Sequence, residues 1–292
     1  MDLMQYVIIA ALSASLLWGF EDALSKKPVS KLGISLTTSI ILVVGLLPFA
    51  IVAMLYPSSM TYFGIVLSAI AGLFWGAGFM LIYKSVSTEN VTSTFVINEI
   101  LPAIIILFGI IGLGEKISLM NSLLIVVIFC GSVIVMLSEN LKFNLRLLYA
   151  VLANISWGLF WVLMIEVIHT SGSFAEPLLI ARIVAAAAVV VFFFISSNRV
   201  RHTAKTRHLP AIRSLYIPIA MAALIGIIDA LGNDAFGFVS TTSFVAIGAG
   251  IIAISPIFVA LLGRLFYKDK LRPLQWTGFG IMVVAAILLA LF

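Results

Sequence analysis

Charged residues and cysteine are scarce in this chain of 292 residues. The first shortage excludes a class of protein, and the second excludes a kind of cross-link. Only 10% of the residues are charged while 63% are hydrophobic, and the mean hydropathy is +1.23. Soluble globular domains carry about 25% charged residues, so the composition excludes such a domain. The one cysteine, Cys130, lies in an apolar stretch and excludes an internal disulfide.

Sequence patterns for catalysis and nucleotide binding are absent as well. The three histidines lie in predicted loops, and the chain has neither a metal-spaced His/Glu helix nor a Gly-x-Ser-x-Gly turn. It also lacks a glycine-rich phosphate loop, which excludes an ATP-driven pump acting by itself. We therefore expect no enzyme, no cofactor and no metal site.

Long apolar stretches fill most of the sequence. A helix needs about 20 apolar residues to cross roughly 30 Å of hydrocarbon, whereas a barrel strand needs about 10. The sequence predicts an all-α integral membrane protein of the cell (plasma) membrane, with ten transmembrane helices. The predicted spans lie near residues 5–26, 33–55, 61–85, 91–113, 118–138, 145–169, 174–196, 215–238, 243–266 and 272–292.

The pI of about 9.4 reflects basic residues at the helix ends rather than a nucleic-acid partner. These residues concentrate in the odd-numbered loops, whereas the even-numbered loops hold only Lys116. Because positive loops stay in the cytoplasm, this bias predicts that both termini lie outside.

Two halves of the chain repeat each other. Four features recur at a fixed offset of 154 residues: Gly72, Gly78, Pro102 and Glu115-Lys116 become Gly226, Gly232, Pro256 and Asp269-Lys270. Trp18-Gly19 also recurs as Trp157-Gly158. The sequence predicts two five-helix repeats, 1–140 and 141–292. An odd number of spans inverts the second copy, which places a ligand path between the repeats.

On these residues, the chain resembles the drug/metabolite transporter superfamily, specifically its EamA-type members. The resemblance covers essentially all of the sequence. It implies a ten-helix, inverted-repeat carrier of small metabolites, often an exporter. Many such proteins are thought to keep both termini in the cytoplasm, opposite to the prediction from the loop charges. Small four-helix members of the superfamily are similar in carrying an acidic residue in the first helix that exchanges a proton for substrate.

Charged side chains in predicted spans are the main candidate site residues, since each costs roughly 2.5–3.5 kcal/mol at a helix centre. Glu99, Asp229 and Arg182 lie within about 5 Å of the middle of their spans. Either Arg182 forms a static pair with a carboxylate, or these groups line a solvated cavity in which a carboxylate titrates. Asn98 precedes Glu99, and Asn233 shares a helix face with Asp229.

The prolines and the first helix carry further predictions. Pro102 and Pro256 each remove a hydrogen bond in mid-span, which indicates either a packing kink or a hinge. Trp18, Glu21 and Asp22 belong to one polar stripe of the first helix. The two acids either take a direct part in transport or pair with neighbouring lysines at the interface.

Aromatic residues form stripes on two helices. Trp75 and Phe79 lie on the third span, and Trp157 and Trp161 lie on the sixth. Such stripes pack or face lipid in most membrane helices, but Trp75 occupies the repeat position equivalent to Asp229. If one of these two side chains lines a cavity, the other should line it too.

Together these residues predict a secondary transporter for a small metabolite, working by alternating access. Carboxylates with an arginine suit an amino acid or another amine-bearing compound, and uptake of a proton as the substrate leaves would couple transport to protons. A lipid-type flippase and a channel remain alternatives. The partners expected are the substrate, the bilayer and protons. Glycine pairs at 76 and 78 and at 248 and 250 could pack helices within a monomer or across a homodimer.

Overall fold

In a computed structural model of the chain, residues 2–86, 100–138, 145–203, 215–268 and 271–291 are described, and their regular structure is entirely α-helical. The helices are α1 (Leu3–Leu32), α2 (Ile34–Val44), α3 (Leu46–Leu55), α4 (Tyr62–Val86), α5 (Ile100–Ile111), α6 (Leu119–Ser138), α7 (Leu145–Ser171), α8 (Ala175–Thr203), α9 (Tyr216–Val239), α10 (Val245–Ile252), α11 (Ser255–Tyr267) and α12 (Pro273–Leu291). Within the described ranges, nine helical stretches are long and apolar enough to cross a membrane, with α2–α3 and α10–α11 each forming one stretch, and α5 is a shorter apolar helix. The predicted all-α membrane fold is confirmed.

The two repeats pack on each other through equivalent helices. The first helix of each repeat packs on the third helix of the other, so that α1 contacts α9 and α7 contacts α4. A side chain on Gly232 would collide with the indole of Trp18, and one on Gly78 would collide with the indole of Trp157. Each tryptophan therefore needs a glycine in the opposite repeat. These paired contacts are what two inverted five-helix repeats produce.

Other glycines allow close helix approach in the same paired way. A side chain on Gly72 of α4 would meet the backbone of Ala181 on α8, and one on Gly226 of α9 would meet the backbone of Ile41 on α2. The glycine pairs at 76 and 78 and at 248 and 250 also contact other segments of the same chain.

Two predicted spans are interrupted in the structure. The second is divided at Gly45 between α2 and α3, and the ninth at Ala253 and Ile254 between α10 and α11. Pro256 lies in the first turn of α11, where a proline has no hydrogen bond to lose. The ninth span is thus two half-helices rather than one kinked helix. Pro102 lies near the start of the described part of α5.

The structure corrects two predicted helix ends. The first helix was expected to end near residue 26, but α1 continues through Pro28 to Leu32. The seventh was expected to end near residue 196, but α8 continues to Thr203. Long basic side chains can extend to water while the backbone beneath them stays helical, so the lysines did not mark an end. With this length, Glu21 lies about 5 Å along the axis from the midpoint of α1.

Candidate substrate cavity

A cavity lies between the two repeats. It is enclosed by α1, α4, α5, α7, α9 and the interrupted ninth span. Its lining residues are Trp18, Glu21, Asp22, Trp75, Phe79, Leu101, Pro102, Trp157, Phe160, Trp161, Asp229, Asn233, Ile252 and Ser255. A site between repeats, bordered by a discontinuous helix, is the usual arrangement in secondary transporters.

One wall of the cavity is acidic. Glu21 and Asp22 come from α1, and Asp229 and Asn233 come from the neighbouring α9. The Asn233 amide donates to both the backbone carbonyl and Oδ1 of Asp229, each at 2.7 Å. Glu21 and Asp229 face the same cavity from these two packed helices. Three carboxyl groups therefore converge on one wall.

Arg182 lies behind this wall, completely buried, and does not line the cavity. Its Nη1 forms an ion pair with Oδ2 of Asp229. Its Nε donates to the carbonyl oxygen of Leu42 at 3.0 Å, and its Nη2 donates to that of Ile41 at 2.8 Å. The guanidinium also lies 4.8 Å from the centre of the Trp75 ring. Each of the three guanidinium nitrogens thus has a partner within the protein.

The interruption of the second span makes room for this arginine. A side chain at Gly45 would collide with the guanidinium of Arg182. The two carbonyls that accept from the guanidinium belong to the last turn of α2, next to the break, and that of Ile41 also accepts from the N–H of Gly45 at 3.0 Å. The break, the glycine and the arginine therefore form one local structure.

A second wall of the cavity is aromatic. Trp75 stacks on Phe160 with ring centres 4.6 Å apart, and Phe79 meets Trp157 edge to face at 5.5 Å. Trp161 joins this wall to Trp18 at 6.2 Å. Aromatic ring faces attract cations, most strongly when water is excluded. The cavity lining therefore combines carboxyl groups with aromatic rings, two kinds of group that attract a cation.

The cavity is narrow. It leaves about 50 Å³ for the centres of water molecules. One water needs roughly 10–15 Å³ by this measure, so the space holds a few waters or a small ammonium group. A larger ligand requires the walls to move apart.

The structure brings together most of the residues singled out in the sequence. Those lining the cavity are Trp18, Glu21, Asp22, Trp75, Phe79, Pro102, Trp157, Trp161, Asp229 and Asn233. Trp75 and Asp229, which occupy equivalent repeat positions, both line it. Arg182 contacts Asp229 from behind, and Pro256 follows the lining residue Ser255. Asn98 and Glu99 lie outside the described residues.

Four lining residues were missed in the sequence: Leu101, Phe160, Ile252 and Ser255. Two of these had a signal. Phe160 occupies the repeat position equivalent to Glu21, at the offset that relates Trp18 to Trp157, and Ser255 precedes the predicted hinge Pro256. Leu101 and Ile252 are ordinary apolar residues that only the packing places at the cavity.

The fold and the cavity define a multi-pass membrane transporter. A family model described as the EamA-like transporter family matches residues 5–137 and again residues 144–291. The chain belongs to the EamA-like transporter family, and the resemblance inferred from the repeats is confirmed.

Comparison with individual proteins provides evidence about the fold only. No curated protein matches the sequence. A solved structure described only as "Crystal structure of protein" is similar to this chain with a TM-score of 0.69 and 14% identity, covering 98% of both chains. At that identity, the likeness shows a shared fold over the full length.

Proposed function

We propose that this protein is a carrier for small amine-bearing cations in the cell membrane, and that the ammonium group binds between the acidic and aromatic walls of the cavity. The observation that carries the proposal is the distribution of charge. Three acidic side chains line the cavity, whereas none of the described lining residues is lysine or arginine. A site of this sign favours a cation.

The position of Arg182 refines the substrate class. An amino acid would need a cation for its carboxylate, but the guanidinium already has Asp229 and two backbone carbonyls as partners. Releasing it would leave a buried carboxylate without its ion pair, which costs several kcal/mol. An amine without a carboxylate makes no such demand. Amines are therefore favoured over amino acids.

Proton exchange would fit the same charge count. Arg182 balances Asp229, so Glu21 adds negative charge that the ligand ammonium would offset. Uncompensated charge is expensive within a membrane. When the amine leaves, uptake of a proton at Glu21 would remove the exposed charge and let the empty carrier return. Through this exchange, an inward proton gradient would drive export of the amine.

The test is exchange in proteoliposomes with a panel of labelled aromatic monoamines, polyamines, neutral amino acids and phospholipid analogues. Each compound is measured with and without an imposed pH gradient. We expect saturable exchange of a monoamine, with accumulation that follows the gradient. Flux that does not saturate would indicate a channel, and movement of the lipid analogue alone would indicate a flippase. Exchange of amino acids but not amines would overturn the substrate class.

A further inference from the structure

A carboxylate at the membrane edge joins the two repeats. Glu115 lies in the loop between α5 and α6 of the first repeat. Its Oε1 accepts from the backbone N–H of Val245 at 2.9 Å, and its Oε2 accepts from that of Ala246 at 2.8 Å. Both N–H groups belong to the first turn of α10 in the second repeat.

Glu115 supplies a cap that α10 does not have in its own sequence. The residue before the helix is Phe244, which makes no side-chain capping hydrogen bond. The first N–H groups of a helix have no partners within it, and their dipole favours a negative charge. A carboxylate that accepts from two of them forms strong, charge-assisted hydrogen bonds. Glu115 therefore caps α10 from the other repeat.

The loop is shaped to hold the carboxylate there. Gly114 has a φ of +67°, and the N–H of Glu115 donates to the carbonyl of Gly109 at 3.0 Å, folding the loop back on the end of α5. A side chain at Gly109 would lie 3.1 Å from Oε2 of Glu115 and 3.2 Å from the Cβ of Ala246. Glycine at this position thus permits the approach.

The capped half-helix forms part of the cavity. From its start at Val245, α10 runs eight residues to the interruption before α11, and Ile252 and Ser255 on either side of that interruption line the cavity. Glu115 thereby links the edge of one repeat to a cavity-lining segment of the other. In alternating access the repeats move against each other, so a contact between them at one membrane edge must break before the cavity opens there.

We propose that Glu115 is a positioning residue that holds α10 against the end of α5 and keeps the cavity closed toward the membrane face carrying the 112–118 loop. This inference rests on the proposed transport cycle. Its sequence counterpart in the second repeat, Asp269, lies outside the described residues. The contact acts through the position of the half-helix, and Glu115 itself does not line the cavity.

Accessibility of a cysteine in the cavity tests the proposal without a known substrate. The native Cys130 is replaced by serine, and Ser255→Cys places a reporter in the cavity. A membrane-impermeant, charged methanethiosulfonate reagent is then added to right-side-out and inside-out vesicles. A separate Lys116→Cys variant, in the exposed part of the same loop, identifies the face that carries it.

We expect Glu115→Ala to raise the labelling rate of the reporter about tenfold from that face only, because losing a charge-assisted cap shifts the closed–open equilibrium by about this factor. Glu115→Gln, which keeps one acceptor oxygen, should give a smaller increase. Glu166→Ala removes an exposed acid elsewhere and should leave the labelling unchanged.

A second variant tests the same contact if Glu115→Ala does not fold. Gly109→Ala keeps the carboxylate but crowds it away from Ala246, so labelling should rise from the same face. Gel filtration and circular dichroism establish that each variant is folded. Unchanged labelling in both variants, or an equal rise from both faces, would overturn the proposal. Neither result would bear on amine transport, which is measured separately.

Discussion

The buried ion pair between Arg182 and Asp229 gives the sharpest prediction about stability. In Asp229→Asn, the guanidinium loses its counter-ion while it remains completely buried. Its remaining acceptors are all neutral: the carbonyls of Ile41 and Leu42 and the amide oxygen of the introduced asparagine. Removing one member of a buried pair costs about 3–5 kcal/mol because the other charge is left uncompensated. We expect that loss in the free energy of unfolding.

The double variant separates charge from packing. Arg182→Met with Asp229→Asn removes both charges and keeps side chains of similar size. The remaining cost is the loss of donors to two backbone carbonyls, about 1 kcal/mol each. The double variant should therefore be less destabilised than either Arg182→Met or Asp229→Asn alone.

The assay is reversible unfolding in mixed micelles, followed by circular dichroism across a titration with denaturing detergent. The matched control is Arg264→Met, which removes an exposed arginine that lies 5.7 Å from the centre of the Trp276 ring. It should cost less than about 1 kcal/mol. A double variant at least as unstable as the sum of the single variants would refute the reasoning.

Three further predictions concern the cavity. Glu21→Gln should raise the KM for a transported amine about 10- to 100-fold, the loss expected for one hydrogen bond to a charged group. Glu166→Gln, on an exposed surface, should leave KM unchanged. Equal KM values in both variants would contradict a role for the acidic wall in binding the amine. Gly78→Ala should lower the exchange rate because the added methyl group displaces the indole of Trp157. Gly280→Ala, with no atom within 4 Å of the added carbon, should leave the rate unchanged. Equal exchange rates in the two variants would refute this prediction. Four of the five tryptophans line the cavity, so a Trp276→Phe variant should keep the full fluorescence change on amine binding, and its loss would place the ligand elsewhere.

The internal repeat made much of the fold predictable. The recurring Trp-Gly pairs and the fixed offset of later glycines and prolines indicated paired contacts, and each tryptophan does pack on a glycine of the opposite repeat. The same offset related Trp75 to Asp229. Because equivalent positions face one axis, the sequence could predict that both side chains meet the same space.

The details depended on contacts between distant segments. The partner of Arg182 could not be chosen among several acids by composition alone, and its two carbonyl partners on α2 carry no side-chain signal. For Glu115, the recurrence of an acidic-Lys pair marked the position, but its partners are backbone N–H groups 130 residues away. Helix ends were missed because basic residues tolerate both helix and loop.

The central claim is that the cavity selects an ammonium group between its acidic and aromatic walls. It is tested most directly by competition in proteoliposome exchange, using an unlabelled amine, the alcohol of the same shape and the corresponding carboxylic acid against a labelled amine. We predict that the amine competes at least tenfold better than the alcohol, and that the acid does not compete. Equal competition by the alcohol, or stronger competition by the acid, would contradict the account.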